Sequence, residues 1–212
     1  MSDYTLYCFA QSGNAYKVAL TLTLCGADWE PRWVDFFNGE TRSEEYRRDV
    51  NVMGEVPVLV HGDLKLTQSG NILYHLVDEL GQYGPETPGE EREVLRWILF
   101  DNHKLTSYTA TYRFLRTFVD GTDPAVMEFL GGRMHGALGV LNQHLDGRDF
   151  AAADRPTIAD FSMCGYLYFD DEIGLDWADY PNVKAWLDRI KALPGWQHPY
   201  DMMPGHPLPD RS

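Results

Sequence analysis

An α/β domain of order βαβαββα around a mixed four-stranded sheet, followed by an all-helical domain, is the architecture that this 212-residue sequence predicts. Three observations carry it. Short apolar runs alternate with helical stretches up to about residue 80. A stretch bearing Gly and Pro, "GQYGPETPG" (81–89), then interrupts the chain. Beyond it the strand signals nearly vanish. The expected organisation is therefore a sheet domain at 1–80, a linker at 81–89 and a helical domain at 90–212.

The elements of the first domain follow in order. "TLYCF" (5–9) reads as a strand, and 14–25 as a helix in which Tyr16, Val18, Leu20, Leu22 and Leu24 mix with small residues. "EPRWVDF" (30–36) reads as the second strand and "SEEYRRDV" (43–50) as a short charged helix. "VPVLVHGDLKLT" (56–67) is a hairpin turning at His61-Gly62-Asp63. In "SGNILYHLVDEL" (69–80), Ile72, Leu73, Leu76, Val77 and Leu80 share one helix face. A strand–helix–strand crossover makes a parallel pair and a tight hairpin an antiparallel one, so the sheet is mixed.

Past the linker, 90–119, 124–146, 157–169 and 182–192 read as helices. "RPTIADF" is a legible helix start: Thr157 caps it, and Asp160 reaches back to the cap, a capping box with Asp in place of Glu. The tail "HPYDMMPGHPLPDRS" (198–212) has too many prolines for a helix and is expected to lie as an extended arm.

Composition excludes several functions. A net charge of −14 disfavours binding to nucleic-acid phosphates or anionic lipid. No apolar stretch reaches the length of a membrane span, and no signal-peptide pattern opens the chain. The three cysteines, Cys8, Cys25 and Cys164, are far apart and include no C-x-x-C pair, which fits a reducing, cytoplasmic setting. The histidines show no metal-ligand spacing, so no metal is expected.

Three short segments carry candidate chemistry. In "AQSGNAYKVAL" (10–20), Ser12 lies between a strand and a helix, either as a cap or with its hydroxyl turned to a ligand. In "GEVPVL" (54–59), Pro57 opens a strand. In "TQSGNIL" (67–73), Ser69 stands at a helix start, where free N–H groups and the helix dipole favour a carboxylate, and Gln68 adds an amide. Capping alone also explains Ser69.

The Val-Pro before the hairpin, the Gln-Ser opening the next helix and the T-I-A-D box at 157–160 together resemble the cytosolic glutathione transferase family, and the resemblance covers nearly the whole chain. It implies a thioredoxin-like first domain that binds glutathione as co-substrate, a helical second domain with an electrophile pocket, and a homodimer serving detoxification. Val56 and a cis Pro57 would present backbone groups to the cysteinyl part, and Gln68 and Ser69 would hold the γ-glutamyl end. Ser12 stands where serine-type classes carry the residue facing the sulfur, with Asn14 as a second donor, as in some bacterial classes. Arg42 is the candidate for the glycyl carboxylate, Asp101 for the glutathione amine, and Tyr108 and Tyr112 for a wall of the pocket. The main reading is conjugation of the glutathione thiolate to a small hydrophobic electrophile. A glutathione-dependent disulfide reductase, a dehalogenating or isomerising enzyme, and a non-catalytic ligand-holding or protein-docking module are the alternatives.

Overall fold

The computed structural model describes residues 2–208. The chain divides into two compact units: 1–82 joined by the segment from 194 onward, and 83–193.

In the first unit, β1 (Tyr4–Cys8) buries Tyr4, Leu6 and Cys8 and leaves the residues between them half-covered. This is the period-2 alternation of a strand lying on a core. It pairs in parallel with β2 (Trp29–Trp33) and antiparallel with β3 (Val58–His61), which pairs antiparallel with β4 (Leu64–Thr67). The order β2-β1-β3-β4 is the expected mixed sheet. Helices α1 (Gly13–Leu24), α2 (Glu44–Asp49) and α3 (Ser69–Leu80) complete the unit. Pro31 fits β2 because β2 is the sheet edge, where a missing N–H costs nothing.

Two boundaries differ from those expected. β2 ends at Trp33 rather than 36, because Asp35 turns the chain: its carboxylate accepts from the Asn38 amide, and its own N–H donates to Glu40. The hairpin turn is two residues, since His61 already pairs with Leu64, and Gly62 takes the positive φ of +57° that such a turn needs.

The tail also departs from expectation. Residues 194–208 pack with the sheet unit rather than the helical one, and Pro199–Met202 form a short helical turn, α10 in chain order. Their carbonyls make the attachment: Tyr16 Oη donates to Gln197 O at 2.8 Å, Ala10 N to Pro204 O at 2.8 Å, and Gln11 Nε2 to Gly205 O at 2.9 Å. Proline removes donors but leaves carbonyls, which is why this segment can be ordered without belonging to a ladder. The last four residues of the expected arm, 209–212, lie outside the described residues.

The second unit is helical: α4 (Pro88–Phe100), α5 (Thr106–Phe118), α6 (Pro124–His144), α7 (Ile158–Cys164), α8 (Asp170–Ile173) and α9 (Pro181–Lys191). The single helix expected over 90–119 is interrupted by a π-helical turn at Asp101–Leu105. The helix expected over 157–169 stops at Cys164, before Gly165.

The capping box at Thr157 is formed, and Asp160 does more than cap. Fully buried, it accepts from Thr157 N at 2.8 Å, Thr157 Oγ1 at 3.0 Å, Ala151 N at 2.9 Å and Trp186 Nε1 at 2.9 Å. Burial pushes its carboxyl upward against the pull of those donors. Among the described residues no helix is long and apolar enough to cross a membrane.

Candidate functional site

The site is assembled in the sheet unit, where β1, α2 and β4 hand the chain to the loops before α1, β3 and α3. At the first junction the Ser12 N–H bonds the Phe9 carbonyl at 3.0 Å, closing a tight turn. Ser12 Oγ accepts from Ala15 N at 3.1 Å and so caps α1. A hydroxyl that accepts this bond keeps its own hydrogen for donation. Ser12 is only 4% exposed, whereas Asn14, in the first turn of α1, is half-buried.

Asn14 reaches across to α3: Ser69 Oγ lies 3.5 Å from Asn14 Oδ1, a long contact with Ser69 as donor. With its carbonyl oxygen turned to Ser69, the Asn14 amide presents its NH2 on the opposite side. Two residues 55 positions apart in sequence thus meet at the starts of two helices.

Ser69 is buried at the head of α3, which no side chain caps. Among the described residues the N–H groups of Ser69, Gly70 and Asn71 have no hydrogen-bond partner, and the first bond of the helix runs from Ile72 N to Gln68 O. A 12-residue helix with three free donors and no acidic residue in its first turn presents a positive end. Gln68 sits at φ +65°, a region that L side chains rarely occupy. Its side-chain NH2 donates to Glu55 Oε2 at 3.1 Å and meets Met53 Sδ at 3.4 Å, so its carbonyl oxygen faces away from that carboxylate.

The Val56–Pro57 bond is cis, and Val56 is half-buried. Neither the N–H nor the C=O of Val56 has a hydrogen-bond partner among the described residues. The segment before it is held firmly. The Tyr46 hydroxyl and the Asn51 amide both donate to the Glu55 carbonyl, at 3.0 and 2.9 Å, and Met53 N bonds Asn51 Oδ1 at 3.0 Å. Burial, with a smaller push from the Glu40 charge, raises the Tyr46 phenol far above its ordinary value, so it stays a donor. The sequence alone singles out neither Tyr46 nor Asn51. The one available signal was a lone aromatic residue in the otherwise charged "EEYRRD".

Arg42 is exposed, with its guanidinium lying over Gly39, whereas Arg47 packs against Gly54 in the segment that leads to Val56. In the helical unit, Asp101 is fully buried, and its two oxygens accept from Thr106 Oγ1 and Ser162 Oγ, each at 2.6 Å. That placement makes it a brace for the π-helical turn. Tyr112 lays its ring against Gly131 of α6, where an added Cβ would come within 3.2 Å. Its glycine partner shows a packing role between α5 and α6. Tyr108 is half-buried on α5.

A cavity of about 320 Å³ opens beside Phe9 and Gln11, on the strand side of the Ser12 turn. Trp33, Phe36 and Phe37 line it together with Gly205 and Leu208 of the tail. Phe9 and Phe36 are stacked at 4.7 Å. No cysteine in this unit is poised for chemistry: burial pushes the thiols of Cys8 and Cys25 up to about 12 and about 11.

Comparison with known proteins places this geometry. The profile of the glutathione S-transferase N-terminal domain matches residues 2–78, and that of the glutathione S-transferase C-terminal domain matches residues 124–189. Glutathione S-transferase D7 of Drosophila melanogaster is 25% identical over 93% of this chain and 88% of its own. The crystal structure of a glutathione S-transferase from Pseudomonas fluorescens superposes with a TM-score of 0.85, at 32% identity, over 92% of this chain and 98% of that one. A glutathione transferase from Burkholderia graminis, solved with two glutathione molecules per subunit, shares the fold at a TM-score of 0.81 and 24% identity, over 92% and 85% of the two chains. By both domain profiles and by near-complete coverage of its relatives, the chain belongs to the glutathione S-transferase family.

Proposed function

We propose that the sheet unit binds glutathione and ionises its thiol, and that the chain conjugates the thiolate to a small hydrophobic electrophile. The observation that carries this is the meeting of Asn14 with Ser69, which brings a thiol-facing turn and a carboxylate-receiving helix start to one place. The free Val56 backbone groups can pair with the cysteinyl residue as an added strand edge would. The head of α3 with Ser69 receives the γ-glutamyl carboxylate, and the Gln68 carbonyl accepts from the ammonium. Arg47, beside Gly54, is a better placed cation for the glycyl carboxylate than Arg42.

The chemistry then rests on two donors. A free thiol has a pKa of about 8.5, so little of it is nucleophilic at neutral pH. The Asn14 NH2 and the Ser12 hydroxyl hydrogen both stabilise the thiolate over the thiol. A hydrogen bond to a charged group contributes roughly 1.5–3 kcal/mol, which lowers a pKa by about one to two units. Asn14 is the stronger candidate, because Ser12 already serves α1 and is nearly inaccessible. The aromatic cavity beside Phe9 suits an apolar co-substrate within reach of the same turn.

A second reading, thiol–disulfide exchange between glutathione molecules, draws support from the poor reactivity of Cys8 and Cys25, since it needs no protein thiol. We also place the working protein in the cytoplasm as a homodimer. Leu95 and Leu99, one turn apart on α4 and 44% and 59% exposed, offer an apolar strip for such an interface.

Retention on glutathione-agarose, with conjugation and disulfide-exchange assays on wild type, Ser12→Ala and Asn14→Ala, tests the proposal. Retention with conjugation that falls in the variants supports it. Disulfide exchange without conjugation selects the second reading. Retention with neither activity leaves a ligand-holding module and overturns the enzymatic reading.

A further inference from the structure

Away from the glutathione site, His61, His75 and Glu79 bring one ligand atom each to within 4.8 Å of one another. His61 ends β3, while His75 and Glu79 stand one turn apart on α3, at the i, i+4 spacing that shares a helix face. His61 Nδ1 and His75 Nε2 are 3.1 Å apart, and the His61 ring is propped by Tyr4 at 4.5 Å between centroids.

We propose that these three side chains form a binding site for a divalent transition ion of the zinc type. Two imidazole nitrogens that each bind zinc at about 2.0–2.1 Å in tetrahedral geometry lie roughly 3.3 Å apart. The observed 3.1 Å between His61 and His75 matches that edge to within a small rotation of either ring. On binding of the ion, the hydrogen between the two nitrogens shifts to the outer nitrogen of its own ring, so that His61 Nε2 and His75 Nδ1 each carry one and both inner lone pairs face the ion. Glu79 is exposed and swings on flexible bonds, so it closes the third position without backbone movement. Two imidazoles and a carboxylate form a borderline donor set that suits zinc over magnesium or calcium, and a water takes the fourth position.

The spacing also says what such an ion does. It ties the end of β3 to the middle of α3, two elements whose opposite ends carry Pro57 and Ser69. The ion is therefore a clip for the frame of the glutathione site and takes no part in the reaction. Sequence spacing hid the site because His61 lies on a strand 14 residues before His75.

Equilibrium dialysis of the full chain against Zn2+, with Co2+ absorption as a report of coordination geometry, tests the proposal on wild type, His61→Gln, His75→Gln and Glu79→Gln. The expected result is one equivalent of Zn2+, a tetrahedral Co2+ spectrum and a raised unfolding temperature in wild type. Each histidine variant should weaken binding by more than about 100-fold, beyond the loss typical of an outer-shell partner, and Glu79→Gln by about tenfold. Glu79 is at the surface, so that variant keeps the fold, and unchanged circular dichroism of all three isolates the metal effect. Absence of stoichiometric binding in wild type, or binding at wild-type affinity in the histidine variants, overturns the assignment.

Discussion

Replacing Asp160 by alanine removes the acceptor for four donors at once, and the structure allows the cost to be worked out. Oδ1 takes Ala151 N and Trp186 Nε1, while Oδ2 takes the Thr157 N–H and hydroxyl. A buried donor left without a partner costs about 1–3 kcal/mol. The Thr157 hydroxyl can rotate to another acceptor, and the small gap lets one N–H move. Two donors therefore remain orphaned, for roughly 2–6 kcal/mol. Removing a desolvated carboxylate also relieves its own burial cost, which draws the net loss toward about 3 kcal/mol. For a chain of this size that is a fall in melting temperature of roughly 6–12 °C. Asp160→Asn should fall between the two, because whichever way its amide is turned, an NH2 faces two donors. Thermal and urea denaturation of the three proteins provide the assay. A loss under about 1 kcal/mol in Asp160→Ala would refute the view that this carboxylate organises the α7 start.

Other consequences are separable from that one. Tyr46→Phe deletes one of two bonds to the Glu55 carbonyl and should raise the dissociation constant for glutathione about fivefold, the equivalent of ~1 kcal/mol, measured by calorimetry. His144 has its pKa lowered by burial, with its Nε2 bonded to the Ala151 carbonyl at 2.7 Å. A depressed histidine stabilises the fold above its unfolded value of about 6.5, and that stability is lost as pH falls through this value toward the folded pKa. The slope is at most about 1.4 kcal/mol per pH unit, and His144→Gln should flatten it in denaturation curves taken from neutral to mildly acid pH. Cys25, its thiol near 11, is roughly one ten-thousandth ionised at pH 7, so iodoacetamide should label the native chain far more slowly than the urea-unfolded one, as followed by mass spectrometry.

The mixed character of the sheet was legible because its signals are local. The Gly62-Asp63 turn marks the antiparallel hairpin and the strand–helix–strand crossover the parallel pair, whereas the antiparallel pairing of β1 with β3 joins distant segments and has no local signal. The capping box at Thr157 was legible for the same reason, since its partners are three residues apart. What the sequence hid depends on distant partners. Nothing near Asp101 foretells that Ser162, 61 residues on, engages its carboxylate. The tail reads as an extended arm because prolines suppress helix, and nothing local foretells that its carbonyls meet donors at Ala10, Gln11 and Tyr16. At the candidate site the sequence offers the residue types of the three loops, whereas the contact of Asn14 with Ser69, 55 positions on, appears only in the folded chain.

The ionisation of bound glutathione decides whether Asn14 and Ser12 act on the thiol. Ultraviolet absorption of the thiolate, titrated against pH in the complex, gives the thiol pKa. Wild type should lower it by about one to two units from the free value, and Asn14→Ala should return most of that shift, with a smaller return for Ser12→Ala. A thiol that titrates in the wild-type complex as it does in free glutathione, or a lowered pKa that neither substitution moves, would contradict the account.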